Sequence, residues 1–263
     1  MSLHVNFSGQ GPTLVMLHSG GMSGRQWRKL AEALSDRYRV VLPDFLGSGG
    51  NPAWPREQSF HFSQDVEQIE KLLESLQRPY HLIGHSYGGL VALTVARHQP
   101  QNIASLTLYD PVAFGVLFDP HDNEGVDDLN QVAAHPVFLD DEQGGGPLWM
   151  QTFVDYWNGP GSWQAMPEPN RQAFLQVGRK VYYEVRSLSE DRTPLEAYRT
   201  LTMPALLVYG EKTPPAARRV LQLLATVLPR ADLQMLPGAG HMGPLTHAAA
   251  FQQLVETHLA RSV

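Results

Sequence analysis

The strongest chemical signal in the 263-residue chain is the segment Gly84-His85-Ser86-Tyr87-Gly88-Gly89. It lies between a short apolar run that ends at Ile83 and an aliphatic run that begins at Leu90. This order predicts a strand, a sharp turn and a helix; the turn raises the serine hydroxyl above the sheet, and flanking glycines permit close packing. The helix also directs free N–H groups and the positive end of its dipole toward the place where an oxyanion would form. The segment therefore predicts a nucleophile at Ser86.

A serine hydroxyl becomes a good nucleophile only when a base takes its proton, and the candidate base is His241. This residue lies in a glycine-rich segment, residues 238–243, between the last predicted strand and the C-terminal helix. The chain has 11 histidines, and most are expected at the surface or at helix ends. The position of His241 is different, because the strand ends along one edge of a parallel sheet converge on one site.

Two stretches of alternating strands and helices must position these residues. The predicted strands are residues 13–18, 38–42, 80–83, 103–109, 205–209 and 232–236. Amphipathic helices are predicted at residues 24–35, 87–97, 216–228 and 246–260, with another whose apolar face includes Val66, Ile69 and Leu73. Strands that alternate with helices of about 10–15 residues are typical of a parallel sheet. The fold class is therefore predicted to be α/β, with a mostly parallel central sheet flanked by helices.

The alternation stops between residues 112 and 199. This stretch has glycine- and proline-rich turns, a cluster of aromatic residues and two predicted helices, at residues 148–157 and 170–188. No strand is predicted in it. We interpret residues 112–199 as a helical insertion in one sheet domain, which is made of residues 1–111 and 200–263.

Composition argues against several classes of function. The net charge of −6 comes without a basic run, which argues against nucleic acid as the main partner. No apolar run approaches the roughly 20 residues of a membrane span, and the N-terminus does not resemble a signal peptide. The chain has no cysteine, and its histidines do not cluster with carboxylates at metal-binding spacing. We therefore expect a cytoplasmic protein with a small-molecule substrate and without metal or cofactor, and the oligomeric state stays open.

These features resemble the α/β-hydrolase superfamily, and the similarity extends over nearly the whole chain. The matching segments are His18-Ser19-Gly20-Gly21, Pro43-Asp44-Phe45-Leu46-Gly47-Ser48-Gly49, Gly84-His85-Ser86-Tyr87-Gly88 and Gly240-His241. The resemblance implies a serine hydrolase with Ser86 as nucleophile, His241 as base and residues 112–199 as a helical cap over the pocket. It also implies an oxyanion hole formed by the backbone N–H groups of Tyr87 and Gly20, with Gly21 as the alternative to Gly20.

The acid of the triad is where the chain departs from the family pattern. Many members of the superfamily carry the acid in a G-x-x-D arrangement after the seventh strand, but here the segment is Gly210-Glu211-Lys212-Thr213. Threonine cannot hold a negative charge against an imidazolium. Asp110, which ends the strand that follows Ser86 along the chain, is the favoured acid. Glu211 is the alternative, and a chain without any acid is the third possibility.

The expected chemistry is acyl transfer, in which an ester of a small to medium, largely apolar substrate forms an acyl-enzyme on Ser86. The aromatic residues of the predicted cap favour an apolar pocket. A carbon–carbon bond hydrolase, a lactonase or a perhydrolase would use the same triad, so these alternatives stay open. The threonine at position 213 also keeps open a non-enzymatic alternative, a ligand receptor or pseudo-enzyme on the hydrolase scaffold.

Overall fold

The computed structural model of this chain describes residues 3–118 and 122–262. Its strands are β1 (Val5–Ser8), β2 (Thr13–Leu17), β3 (Arg39–Pro43), β4 (Tyr80–His85), β5 (Ile103–Tyr109), β6 (Ala205–Gly210) and β7 (Ala231–Leu236). Within the described ranges they form a seven-stranded sheet in the order β1-β3-β2-β4-β5-β6-β7. β1 runs antiparallel to β3, and the other neighbouring strands are parallel. This is the α/β architecture predicted from the sequence.

Helices flank the sheet and fill the chain between β5 and β6. The α-helices of the described ranges are α1 (Arg28–Leu34), α2 (Phe62–Glu74), α3 (Tyr87–His98), α4 (Asn123–Ala133), α5 (Pro147–Asn158), α6 (Ser162–Ala165), α7 (Glu168–Glu190), α8 (Pro215–Val227), α9 (Gly243–Thr246) and α10 (Ala248–Ala260). Short 3₁₀ segments cover Gly24–Trp27, Pro100–Asn102, Phe114–Leu117 and Leu195–Tyr198. In the part of the chain that the structure describes, none of these helices is both long and apolar enough to cross a lipid bilayer.

The central strands are buried on both faces of the sheet. In β2, Val15 and Leu17 pack with the apolar faces of α2 and α3, whereas Leu14 and Met16 pack against α1 and α10. Every residue of β2 and of β4 is buried. A strand buried on both faces is a continuous apolar run in the sequence, which is why these strands could be predicted.

Parallel strand direction brings four chain segments to one edge of the sheet. Ser86 follows β4, Asp110 follows β5, Thr213 comes shortly after β6, and His241 lies in the loop after β7. Because these strands are parallel neighbours, their carboxyl ends all open onto the same edge. The fold therefore collects residues that are up to 155 positions apart in sequence, as Ser86 and His241 are.

Helices α4 to α7 form what we call the helical segment, and polar contacts at both of its ends join it to the helices that flank the sheet. At one end, the Asp128 carboxylate of α4 accepts hydrogen bonds from the backbone N–H of Ala216 (3.0 Å) and the hydroxyl of Tyr156 (2.7 Å). At the other, Lys180 Nζ of α7 lies 2.8 Å from Asp65 Oδ2 of α2. The segment is thus held over the same sheet edge that carries Ser86.

The C-terminal helix was predicted as one unit over residues 246–260, and this prediction was wrong at its beginning. The structure has the short helix α9 and then α10, with His247 between them at φ −123° and ψ 39°. These angles lie outside the α-helical region, so the helix is interrupted at that residue.

Candidate active site

Ser86 occupies the tight turn between β4 and α3. Its backbone has φ 53° and ψ −118°, a conformation that is rare for a residue with a side chain. The turn is held by a hydrogen bond from the Ser86 N–H to the Tyr109 carbonyl at 2.9 Å. A Cβ on Gly84 would stand 2.4 Å from the Gly88 carbonyl oxygen, and one on Gly88 would stand 2.4 Å from that of Leu17. Both positions therefore require glycine, as the segment predicted.

His241 lies within hydrogen-bond distance of the serine. Its Nε2 is 3.0 Å from Ser86 Oγ, and its ring is almost fully buried. The indole of Trp157, at the end of α5, stacks on the imidazole with ring centroids 3.8 Å apart and planes inclined by 22°. Burial lowers the pKa of His241 to about 3, which keeps the imidazole neutral and able to accept a proton.

Asp110 lies on the far side of His241 from the serine, with Oδ2 3.1 Å from His241 Nδ1. Its φ of 43° is the second positive value among non-glycine residues of the described ranges, after that of Ser86. Burial raises the pKa of the Asp110 carboxyl, and the hydrogen bond from Thr213 opposes that rise. Oδ1 is buried without a hydrogen-bond partner in the described part of the chain. The aspartate is therefore directed at His241 through Oδ2 alone.

Thr213, which the sequence analysis treated only as a missing acid, contacts Asp110 directly. Its hydroxyl donates to Asp110 Oδ2 at 2.8 Å and accepts from the Gly210 N–H at 2.9 Å. The residue at the usual acid position thus holds the carboxylate that comes from the neighbouring strand. The side chain of Glu211, the alternative acid, lies elsewhere: it is exposed and accepts a hydrogen bond from the Gly238 N–H at 2.7 Å.

The turn after β2 lies beside Ser86 and is organised by His18. His18 Nδ1 donates to the Ser19 carbonyl at 2.8 Å, and Nε2 accepts from the Phe45 N–H at 3.0 Å. Burial lowers the pKa of His18 to about 4, so the ring is neutral and suits this pair of bonds. Gly20 borders both cavities that contain Ser86. Gly21 has φ 73°, and a Cβ there would meet the Phe174 ring instead.

A chain of buried hydrogen bonds, which was not predicted from the sequence, joins this turn to the His241 loop. The N–H and the hydroxyl of Ser19 each donate to Gln26 Oε1 at 3.0 Å. Gln26 Nε2 donates to His85 Nδ1 at 2.9 Å, and His85 Nε2 donates to the His241 carbonyl at 2.8 Å. One signal was available: His85 belongs to a fully buried strand, where a polar side chain needs a partner.

Two cavities meet at Ser86, and both also border Gly20, Phe153 and Trp157. The first, of about 290 Å³, we call the Glu184 cavity; its apolar lining includes Val112, Phe114, Leu129, Phe138, Val181 and Leu188. The second, of about 420 Å³, we call the His241 cavity; its lining includes Met22, Val154, Ala165, Met166, Phe174 and Met242. Among the described residues, no three histidine or acidic side chains are grouped in a way that could hold a metal ion.

Comparison with known proteins gives the family. The alpha/beta hydrolase fold family matches residues 12–248. The pimeloyl-[acyl-carrier protein] methyl ester esterase of Aeromonas hydrophila subsp. hydrophila is 29% identical over 97% of this chain and 98% of that protein. The 2-hydroxy-6-oxo-6-phenylhexa-2,4-dienoate hydrolase of Burkholderia cepacia is 27% identical over 98% and 91%, respectively.

Solved structures agree on the fold. A bacterial membrane phospholipase A, described as a virulence factor, superposes with a TM-score of 0.78 at 22% identity, over 100% of this chain and 85% of that chain. At this identity the likeness concerns the fold alone. The family match extends over most of the sequence, and it includes the serine turn, the histidine loop and the sheet edge between them. The chain belongs to the α/β-hydrolase fold family.

Proposed function

We propose that the chain cleaves carboxylic esters of small to medium, largely apolar substrates through an acyl-enzyme on Ser86, with His241 as base and Asp110 as acid. It is a hydrolase that acts on ester bonds, in keeping with its family and its esterase relatives. Two contacts in series support the assignment of the three residues. Ser86 Oγ lies 3.0 Å from His241 Nε2, and His241 Nδ1 lies 3.1 Å from Asp110 Oδ2. Nucleophile, base and orienting acid in this order form a serine-hydrolase triad.

In the first half of the proposed reaction, Ser86 Oγ attacks the ester carbonyl carbon while its proton passes to His241 Nε2. Asp110 stabilises the imidazolium that forms, and the N–H groups of Tyr87 and Gly20 donate to the oxyanion. Loss of one such donor typically costs about 3 kcal/mol of transition-state stabilisation. The tetrahedral intermediate then collapses, the carbon–oxygen bond to the alcohol breaks, and His241 gives its proton to the departing oxygen.

In the second half, water takes the place of the alcohol. It attacks the acyl carbon and gives a proton to His241, and the acid is released as Ser86 Oγ recovers that proton. Every proton that His241 takes is returned in the same half-reaction. No cofactor is required by these steps, and a small molecule is the only partner that they involve.

The two cavities suit the two halves of an ester. The leaving oxygen must take its proton from His241, so the alcohol fits the His241 cavity, which both His241 and Ser86 border. The acyl group then fits the Glu184 cavity, whose lining is mostly apolar. Volumes of about 420 Å³ and 290 Å³ support substrates with short to medium chains on both sides of the ester.

We further propose that residues 112–199 act as a cap on a core of residues 1–111 and 200–263. The stacking of Trp157 on His241 and the lining of both cavities by the helical segment support this division. A carbon–carbon bond hydrolase, a lactonase or a perhydrolase would use the same three residues. A receptor without catalysis is disfavoured, because Asp110 supplies the acid that position 213 lacks. The cytoplasmic location stays a prediction from the sequence.

A panel of p-nitrophenyl esters with increasing acyl length tests the proposal, together with fluorophosphonate labelling of the folded protein. We expect wild type to hydrolyse short and medium esters and to be labelled at Ser86. Ser86→Ala should not be labelled, and its kcat should be lower than that of wild type by at least about 10³-fold. Ser8→Ala, on the exposed strand β1, is the control and should behave like wild type. Full ester turnover by Ser86→Ala would overturn the assignment of the nucleophile.

A further inference from the structure

The Glu184 cavity is largely apolar, yet it contains a buried carboxyl group close to the serine. Glu184, on α7, is 2% exposed and borders the same space as Ser86 and Gly20. The other charged residues of the lining, Arg186 and Arg192, both reach solvent, and Arg186 is paired with Asp141. Glu184 is therefore the charged side chain that a substrate deep in this cavity would meet.

The positive charge of Lys180 is already balanced by the carboxylate of Asp65, without Glu184. Lys180 Nζ lies 2.8 Å from Asp65 Oδ2, and the same carboxylate accepts hydrogen bonds from the Tyr87 hydroxyl (2.8 Å) and the Leu46 N–H (2.9 Å). Glu184 Oε1 also contacts Lys180 Nζ. Lys180, Asp65 and Glu184 thus form a buried cluster in which two carboxyl groups contact one ammonium. A second buried carboxyl adds desolvation cost beyond what a single ion pair needs.

The second carboxyl oxygen of Glu184, Oε2, lies beside Gly20 in the turn after β2. Oε2 has no hydrogen-bond partner among the described residues, although the side chain is almost fully buried. It lies 2.7 Å from the position that a Cβ on Gly20 would take, so only glycine fits there without displacing the carboxyl. Because Glu184 borders the cavity, a ligand there can donate a hydrogen bond to Oε2, which receives none from the described residues.

We infer that Glu184 forms a polar subsite of the Glu184 cavity and takes a hydrogen bond from a hydroxyl group on the acyl part of the substrate. This inference rests on the proposed ester hydrolysis and narrows its substrate class to short hydroxyacyl esters with an otherwise apolar chain. Oε2 lies 2.7 Å from the position that a Cβ on Gly20 would take, and Gly20 is a proposed oxyanion donor, so the hydroxyl would lie within a few atoms of the scissile carbonyl.

A hydroxyl fits this subsite better than an ammonium group. Burial raises the pKa of Glu184 to about 7, while the neighbouring Lys180 opposes that rise. Near neutral pH the group is therefore present in both protonation states. A hydroxyl can donate to the carboxylate or accept from the carboxylic acid, whereas an ammonium can bind only the carboxylate. An ammonium would also bring a second positive charge into an apolar cavity beside Lys180.

The test compares p-nitrophenyl butyrate with both enantiomers of its 2-hydroxy and 3-hydroxy derivatives, on wild type and on Glu184→Met. We expect wild type to favour one hydroxylated ester in kcat/KM, and Glu184→Met to lose that preference by about 10-fold or more. Glu184→Gln, which keeps hydrogen-bonding atoms in place, should retain part of the preference. Glu190→Met, at the exposed end of the same helix, should leave it unchanged.

Calorimetric binding separates this inference from the proposed function. The same esters are titrated into Ser86→Ala and into Ser86→Ala/Glu184→Met, with thermal unfolding as the control for folding. Selective binding that depends on Glu184, without hydrolysis by wild type, would support the subsite and overturn the esterase. Equal binding and equal kcat/KM ratios in all folded variants would overturn the subsite, whatever the rate of hydrolysis.

Discussion

At the scale of single residues, the proposed acid and its threonine partner form one unit. Asp110 Oδ2 lies 3.1 Å from His241 Nδ1 and 2.8 Å from Thr213 Oγ1, so the two side chains approach the same point from neighbouring strands. Position 213 is also where the superfamily commonly carries its acid. The hydroxyl of Thr213 therefore lies where a carboxylate could reach the imidazole with little rearrangement.

This geometry predicts that the acid can be moved. Asp110→Asn should lower kcat by up to about 10⁴-fold, because an amide stabilises the wrong tautomer of His241. Adding Thr213→Asp to that variant should recover at least 10-fold, since the new carboxylate would start beside the same Nδ1. The measurement is kcat on p-nitrophenyl butyrate, with Glu211→Gln as the matched control. Loss of activity in Glu211→Gln with full activity in Asp110→Asn would show that the assignment of the acid is wrong.

The burial of His241 predicts the pH profile. His241 must be neutral to accept the serine proton, so activity is lost as pH falls through its pKa. Burial lowers that pKa to about 3 from its ordinary value of 6.5. The acidic limb of the pH profile of kcat/KM for p-nitrophenyl butyrate should therefore lie below pH 6.5. The apparent pKa of that limb belongs to the coupled pair of His241 and Asp110. A limb at or above pH 6.5 would contradict this prediction.

At the scale of elements, helix α5 covers the proposed base, His241, from outside the sheet. It ends one residue after Trp157, whose indole covers the imidazole and removes it from water. Trp157→Ala should re-expose His241, move the acidic limb toward 6.5 and lower kcat/KM by about 10- to 100-fold. Trp157→Phe should shift the limb less, because an aromatic ring still covers the base.

Both variants are compared with Trp54→Ala, which removes a half-buried tryptophan outside the linings of the two cavities. An unchanged pH profile in Trp157→Ala, with a fold as stable as that of the control, would mean that the stacking does not desolvate His241.

Which elements could be predicted follows from how they are buried. The central strands β4 and β5 are mostly apolar runs, so their ends indicated Ser86 and Asp110 in the sequence. His241 follows β7, a partly exposed edge strand, and was indicated by its glycine-rich loop. β1 was missed because it is a mostly exposed edge strand without such a run. The burial of His85 indicated that its side chain needs a partner, but its partners, and those of Lys180, could not be predicted, because these contacts join distant elements. Lys180 and Asp65, for example, are 115 positions apart.

At the scale of the whole molecule, the buried cluster of Lys180, Asp65 and Glu184 fixes the helical segment to the sheet domain. Removing the ammonium leaves two carboxyl groups buried without a cation. Loss of one partner of a buried ion pair typically costs about 3–5 kcal/mol, whereas an exposed pair contributes about 0–1 kcal/mol. The chain offers a matched exposed pair in Lys71 and Glu67, which are 2.7 Å apart on α2.

Lys180→Met should therefore lower the free energy of unfolding in urea by about 3–5 kcal/mol, and Lys71→Met by less than about 1 kcal/mol. Both substitutions remove one ammonium and keep a similar chain length; Lys180 is buried on two carboxyl groups, whereas Lys71 is exposed and pairs with Glu67. Adding Asp65→Asn and Glu184→Gln to Lys180→Met should recover part of the loss, because neutral amides then replace the carboxyl groups that lost their cation. If Lys180→Met and Lys71→Met proved equally stable, the cluster would not be what holds the helical segment over the active site.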